Sequence, residues 1–184
     1  LQRPSLVDPA MKLAESLGFE NSCLDEFGQL LHLLAGHIQS GKVAEIGTGC
    51  GVSTAWIASA TSLDVYTVDN DEERAIETRK LFVEHPNVHQ IVGDWERILH
   101  EGPFRLVFVD AKPAKLEGID KVVNATEVGG LIVIDDLTPV EFWTEEWKRK
   151  PDLVRDAWLH HNQLASIEVR TSLKASAILA RRIC

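Results

Sequence analysis

Asp110 follows directly on the apolar run Leu106-Val107-Phe108-Val109, and the pair Asp135 and Asp136 follows on Leu131-Ile132-Val133-Ile134. If the runs are neighbouring parallel strands, the acids stand at their carboxyl ends, where open parallel sheets bind ligands. Strands lie ~4.8 Å apart, so three such carboxylates can converge on one hard cation, Mg²⁺, Ca²⁺ or Mn²⁺. Without a cation, the clustered charges cost electrostatic energy or raise a pKa. The competing assignment leaves Asp136 in solvent and makes Asp135 the cap of a helix starting near Pro139.

A second chemical signal lies in residues 43–53, Val-Ala-Glu-Ile-Gly-Thr-Gly-Cys-Gly-Val-Ser. The apolar run carries Glu45, breaks into Gly47, Gly49 and Gly51, and resumes with helical spacing at Val52, Ala55 and Trp56. Glycines let a chain turn tightly and let a ligand approach without a Cβ in the way. A dinucleotide fingerprint begun at Gly47 needs a third glycine at position 52, where Val52 stands. Asp69 closes the next apolar run, 22 residues after Gly47. A carboxylate there offers two oxygens to the two hydroxyls of a ribose; its plainer role is a helix N-cap before Glu72 and Glu73.

These residues need a sheet to bring them together. Strands are expected at 43–47, 64–69, 88–92, 104–110 and 129–135, with helices at 52–61, 71–84 and 113–126 and a short turn near 95–100. Such alternation implies a parallel sheet covered on both faces. A helix over Pro9 to Leu17 and an amphipathic stripe at Phe27, Leu30, Leu31, Leu34 and Ile38 precede it. After Asp136, Val140, Trp143 and Trp147 fall at helical spacing, and a helix starting at Pro151 carries Trp158. Strands at 163–170 and 174–181 are joined too tightly to be parallel. The fold class is therefore α/β: a Rossmann-like, mostly parallel sheet of seven strands ending in an antiparallel hairpin. The chain reads as one domain, a helical segment over 1–40 and a core over 43–184.

Bulk properties narrow the function. The 184 residues carry a formal net charge of −9, against the basic footprint of a non-specific nucleic-acid binder. No apolar run approaches the ~20 residues of a membrane span. Cys23, Cys50 and Cys184 lack metal-ligand spacing and are odd in number, which favours a reducing, cytoplasmic setting.

The G-x-G-x-G loop, with an acid two residues before it, resembles the first motif of class I S-adenosylmethionine-dependent methyltransferases. Most of the chain, from Phe27-Gly28-Gln29-Leu30-Leu31 through AEIGTGCGVST, VYTVDND, GDW, LVFVDAK and GGLIVIDD, is similar to the small bacterial O-methyltransferases related to catechol and caffeoyl-coenzyme A O-methyltransferases. The resemblance implies S-adenosylmethionine as cofactor, with Glu45, Gly47, Thr48, Gly49, Gly51, Ser53, Asp69, Asn70 and Asp110 around it and Asp94 and Trp95 at the adenine. It also implies Mg²⁺ or another divalent ion on Asp110, Asp135 and Asp136, although the family pairs Asp with Asn where Asp136 stands. The family's lysine, three residues after the fourth-strand acid, is replaced by Pro113; Lys112 is one residue early and Lys115 two late. Asp110 and Lys112 are the expected catalytic residues.

The expectation is a methyltransferase acting on a small-molecule acceptor, most readily at a phenol or catechol oxygen. The resemblance also implies a homodimer, for which the 27–38 stripe offers a surface. No Asn-Pro-Pro-Tyr-like segment of nucleic-acid amino-methyltransferases follows the fourth strand, so neither nucleic acid nor membrane is an expected partner. Two alternatives remain: a nicotinamide-dependent oxidoreductase, and an S-adenosylmethionine-binding module without catalysis.

Overall fold

The computed structural model describes residues 2–184. The apolar runs become seven strands: β1 (Val43–Ile46), β2 (Val65–Asp69), β3 (Val88–Val92), β4 (Phe104–Val109), β5 (Thr126–Leu137), β6 (Leu164–Arg170) and β7 (Ser176–Arg182). They form one sheet in the order β3-β2-β1-β4-β5-β7-β6. The first five are parallel, and β7 runs antiparallel between β5 and β6. The expected hairpin is therefore present, its last strand inserted beside β5.

Alternation along the strands divides the core. Ala44, Ile46, Val107, Val109, Ile132 and Ile134 face one apolar cluster, closed by α5 (Lys112–Glu117), α6 (Ile119–Ala125) and α7 (Leu153–Leu159). Val43, Leu106, Phe108 and Val133 face the other, with Phe27, Leu31 and Ala35 of α2 (Asp25–His37) and Ile57 of α3 (Val52–Ala58). A third cluster joins α3 to α1 (Val7–Ser16) and to Phe82, just past α4 (Glu72–Leu81). Burial on both faces explains why the central strands are predominantly apolar, with Glu45 the buried exception in β1. Phe27, Leu31 and Ile38 of the α2 stripe are buried against the sheet, whereas Leu30 and Leu34 are only partly buried.

Two expected elements differ. The helix over 113–126 breaks at Gly118, where Trp95 fills the space of a side chain: a Cβ there would lie 2.3 Å from Trp95 Cη2. The stripe of Val140, Trp143 and Trp147 is not helical. Two short 3-10 turns, Val140–Phe142 and Trp147–Arg149, flank an extended Trp143. The Trp143 indole N–H donates to the Thr138 carbonyl at 2.6 Å, holding the segment back on the end of β5.

Candidate active site

β1 lies between β2 and β4, so the chain leaves it in opposite directions across the sheet. The crevice beyond such a switch point is where doubly wound sheets bind ligands. Backbone bonds stitch the strand ends together: Gly47 N and Thr48 N donate to Val68 O, and Asp110 N and Ala111 N to Ile46 O. Gly47 has φ +111°, and a Cβ there would stand 3.2 Å from Ala111 N. Gly51 has φ +78°, and its Cβ would meet Thr78 Cγ2 of α4 at 2.7 Å. Both positions need glycine for conformation and for space.

A cavity of about 710 Å³ opens over these strand ends, within the ~300–1,000 Å³ usual for small-molecule sites. Gly47, Gly49, Asp69, Asn70, Asp110, Asp135 and Asp136 stand on its wall. Segments without a readable motif complete it: Phe19 to Leu24 between α1 and α2, Glu26 and Phe27 at the start of α2, Leu137 and Thr138, and Thr171, Ser172, Lys174 and Ala175 between β6 and β7. Glu45, Thr48, Gly51, Ser53, Asp94, Trp95 and Lys112 are not among the lining residues. Glu45 is sealed beneath the loop, where its Oε2 accepts from Thr67 at 2.7 Å and from Thr54, while Oε1 has no partner. Burial pushes Glu45 up to about 7 against the pull of the hydroxyl groups. Its role here is to brace β1 against β2 and α3. Thr48 joins that network through Thr67 at 2.6 Å. Asp94 caps the 3-10 turn after β3, accepting from Glu96 N at 2.9 Å, and Trp95 packs on Gly118.

Asp69 is not the helix cap. Asp71 caps α4, accepting from Arg74 N at 2.9 Å. Asp69 instead accepts from Gly49 N at 2.7 Å, from Asp71 N at 3.0 Å and from the Arg74 guanidinium at 3.0 Å. A carboxylate has about four lone-pair directions, so one further donor fits readily. A second ribose hydroxyl requires Arg74 to withdraw. Arg74 also lies over the Phe19 ring, 4.8 Å from its centroid, and Phe19 covers Gly49. Sequence reasoning missed this lid because nothing in α1 or its exit carries a motif.

At the other end of the cavity, Lys112 and Lys115 stand in different surroundings. Lys112 is exposed at the start of α5. Lys115 instead turns inward, with its Nζ 3.1 Å from Asp110 Oδ1 and 2.7 Å from Asp136 Oδ2 and its side chain 8% exposed. Helical side chains lean toward the helix N-terminus, so a lysine one turn into α5 reaches back to the strand-end acid. Asp136 meets it from a left-handed backbone, φ +66°, beside an irregularity in β5–β7 pairing between Ile134 and Leu137. Short polar residues tolerate that conformation best.

Charges follow this arrangement. Burial raises Asp110 to about 6 although Lys115 opposes it. Burial also raises Asp135 to about 7, partly offset by the Asp136 backbone N–H. The Asp136 side chain is 71% exposed; its partial desolvation works against ionisation, but the Lys115 ammonium outweighs it and holds the carboxyl below its usual range. The divalent ion expected on these acids does not fit the donors as arranged. Two of the three already share the Lys115 ammonium, and the described residues contain no group of three His, Cys, Asp or Glu side chains placed to hold a metal ion.

A doubly wound sheet with a glycine loop at its switch point, an acid ending β2 and a terminal antiparallel hairpin defines a Rossmann-like methyltransferase. Residues 44–137 match the family described as a methyltransferase domain, and the chain belongs to that family. Catechol O-methyltransferase from Mycobacterium tuberculosis is 34% identical over 120 residues, 60% of this chain and 54% of that protein. The chain spans about half the length of the curated relatives it matches. The O-methyltransferase of tomaymycin synthesis from Streptomyces achromogenes, solved with S-adenosylmethionine, superposes with a TM-score of 0.81 at 24% identity, covering 100% of this chain and 92% of that one. An O-methyltransferase from Bacillus cereus, solved with S-adenosylhomocysteine, gives 0.80 at 16% identity, covering 99% and 93%. These two likenesses establish the fold. Family membership replaces the nicotinamide oxidoreductase reading.

Proposed function

We propose that this chain is an S-adenosylmethionine-dependent methyltransferase acting on an oxygen of a small acceptor. The observation that carries the reading is one continuous cavity joining the glycine loop and Asp69 to the carboxylates of Asp110, Asp135 and Asp136. The cofactor fits the glycine end: Gly47 and Gly49 leave the backbone bare, and Asp69 keeps an acceptor position for a ribose hydroxyl. When bound, S-adenosylmethionine supplies a methyl group already activated by its sulfonium. The protein's own task is to align the acceptor atom and exclude water. Asp135, titrating near neutrality, suits the acceptance of a hydroxyl proton at working pH.

Similarity to proteins named O-methyltransferases favours oxygen as the acceptor atom. The acidic wall and the net charge of −9 favour a small molecule over nucleic acid. No helix among the described residues is long and apolar enough to cross a membrane. We take the three free cysteines to mark a reducing compartment such as the cytoplasm. The homodimer rests on the family resemblance.

The test is transfer of labelled methyl from S-adenosylmethionine to a panel of phenols, catechols, carboxylic acids and amines. Labelled methyl ethers support the assignment. Cofactor binding with no transfer to any acceptor would favour a binding module instead.

A further inference from the structure

We infer that the Lys115 ammonium takes the place of a divalent cation at the strand-end carboxylates, so that the site works without a metal. The inference rests on the methyltransferase reading and adds the means of charge compensation. Lys115 Nζ lies within hydrogen-bond distance of Asp110 Oδ1 and Asp136 Oδ2 at once, on a side chain 8% exposed. An Mg²⁺ ion needs its oxygens at about 2.0–2.1 Å, so ion and ammonium compete for the same two carboxylates. Entry of the ion would expel a buried cation that is covalently part of the chain.

The lysine is also held in place from behind. Its backbone N–H donates to Ala111 O at 3.1 Å, and its carbonyl accepts from the indole N–H of the fully buried Trp158 at 2.9 Å. Pro113 in the first turn is preorganised for a helix start and so fixes where that turn begins. On the other side, the left-handed backbone of Asp136 brings the second carboxylate to the ammonium. An adaptable surface lysine would need none of these supports. Lys115 is not among the cavity-lining residues, so it acts as a positioning residue that fixes the two carboxylates in direction.

Mn²⁺ titration followed by electron paramagnetic resonance tests this on the full chain, as wild type, Lys115→Ala and Lys115→Arg, with S-adenosylhomocysteine affinity measured on each. The wild type and Lys115→Arg should leave the free-ion signal unchanged into the millimolar range. Lys115→Ala, its carboxylates released, should bind Mn²⁺ at least roughly tenfold more tightly than wild type. Stoichiometric Mn²⁺ uptake by the wild type overturns the inference, as does a folded Lys115→Ala that takes up none. If Lys115→Ala does not fold, the wild-type titration decides alone: silence supports the inference and uptake overturns it. Failure of the wild type to bind S-adenosylhomocysteine would count against the methyltransferase reading, a separate readout from the metal result.

Discussion

Asp69 and Glu45, two acids of one motif set, stand in different surroundings. Asp69 stands on the cavity wall with capacity for another donor, whereas Glu45 is closed off beneath the glycine loop. Asp69→Ala should weaken S-adenosylhomocysteine binding by about 1.5–3 kcal/mol, the range for hydrogen bonds to a charged group, and cost less in folding stability. Calorimetry paired with thermal melts checks this, and an unchanged dissociation constant would remove Asp69 from the site. Glu45 should be visible through pH instead. Its pKa, and those of Asp135 and Asp110, are raised by burial to about 7, about 7 and about 6. The folded chain therefore holds more protons than the unfolded chain from about pH 4 to pH 7, and stability falls as pH rises through that window. Asp136, held low by Lys115, acts oppositely: its contribution is lost only as pH falls below the usual carboxylate range. Glu45→Gln should flatten the decline between about pH 5 and pH 7, by an amount on the order of 2 kcal/mol. A melting-temperature series against pH that keeps its slope would show Glu45 to be ionised when folded.

The elements were most legible where burial repeats. β1, β2 and β4 end within a residue of expectation, because buried runs bounded by glycine or acid leave little choice of register; Val88–Val92 also falls on the expected residues, although it is only half-buried throughout. Legibility failed where a single contact decides. Gly118 breaks a helix for the sake of Trp95, and the Trp143 indole pins a segment whose spacing looked helical. Nearness in sequence to Asp110 favoured Lys112 over Lys115, whereas the backward lean of a helical side chain is what brings Lys115 to that acid. The 19–27 and 171–175 segments on the cavity wall have no periodicity to read at all. At this scale glycine placement is directly testable. Gly51→Ala forces a Cβ onto a left-handed backbone and against Thr78 Cγ2, and should destabilise by about 1–3 kcal/mol. Gly36→Ala, inside α2 with nothing nearer than 3.5 Å, should stabilise by roughly 0.5–1 kcal/mol. Urea unfolding separates the two; equal midpoints would mean that the glycine loop relaxes freely.

The whole molecule is organised around one crevice. The switch between β1 and β4 places a bare backbone at one end of the cavity and a lysine-bound acidic cluster at the other. Two helical layers bury the sheet that holds these ends at fixed separation. The central claim is that the glycine end accepts S-adenosylmethionine and not a nicotinamide dinucleotide, for which Val52 stands where a third glycine is needed. Isothermal titration of the purified chain with S-adenosylhomocysteine and, separately, with NAD⁺ tests it most directly. The account predicts saturable, one-to-one heat for S-adenosylhomocysteine and none for NAD⁺. Saturable NAD⁺ binding with no response to S-adenosylhomocysteine would contradict it.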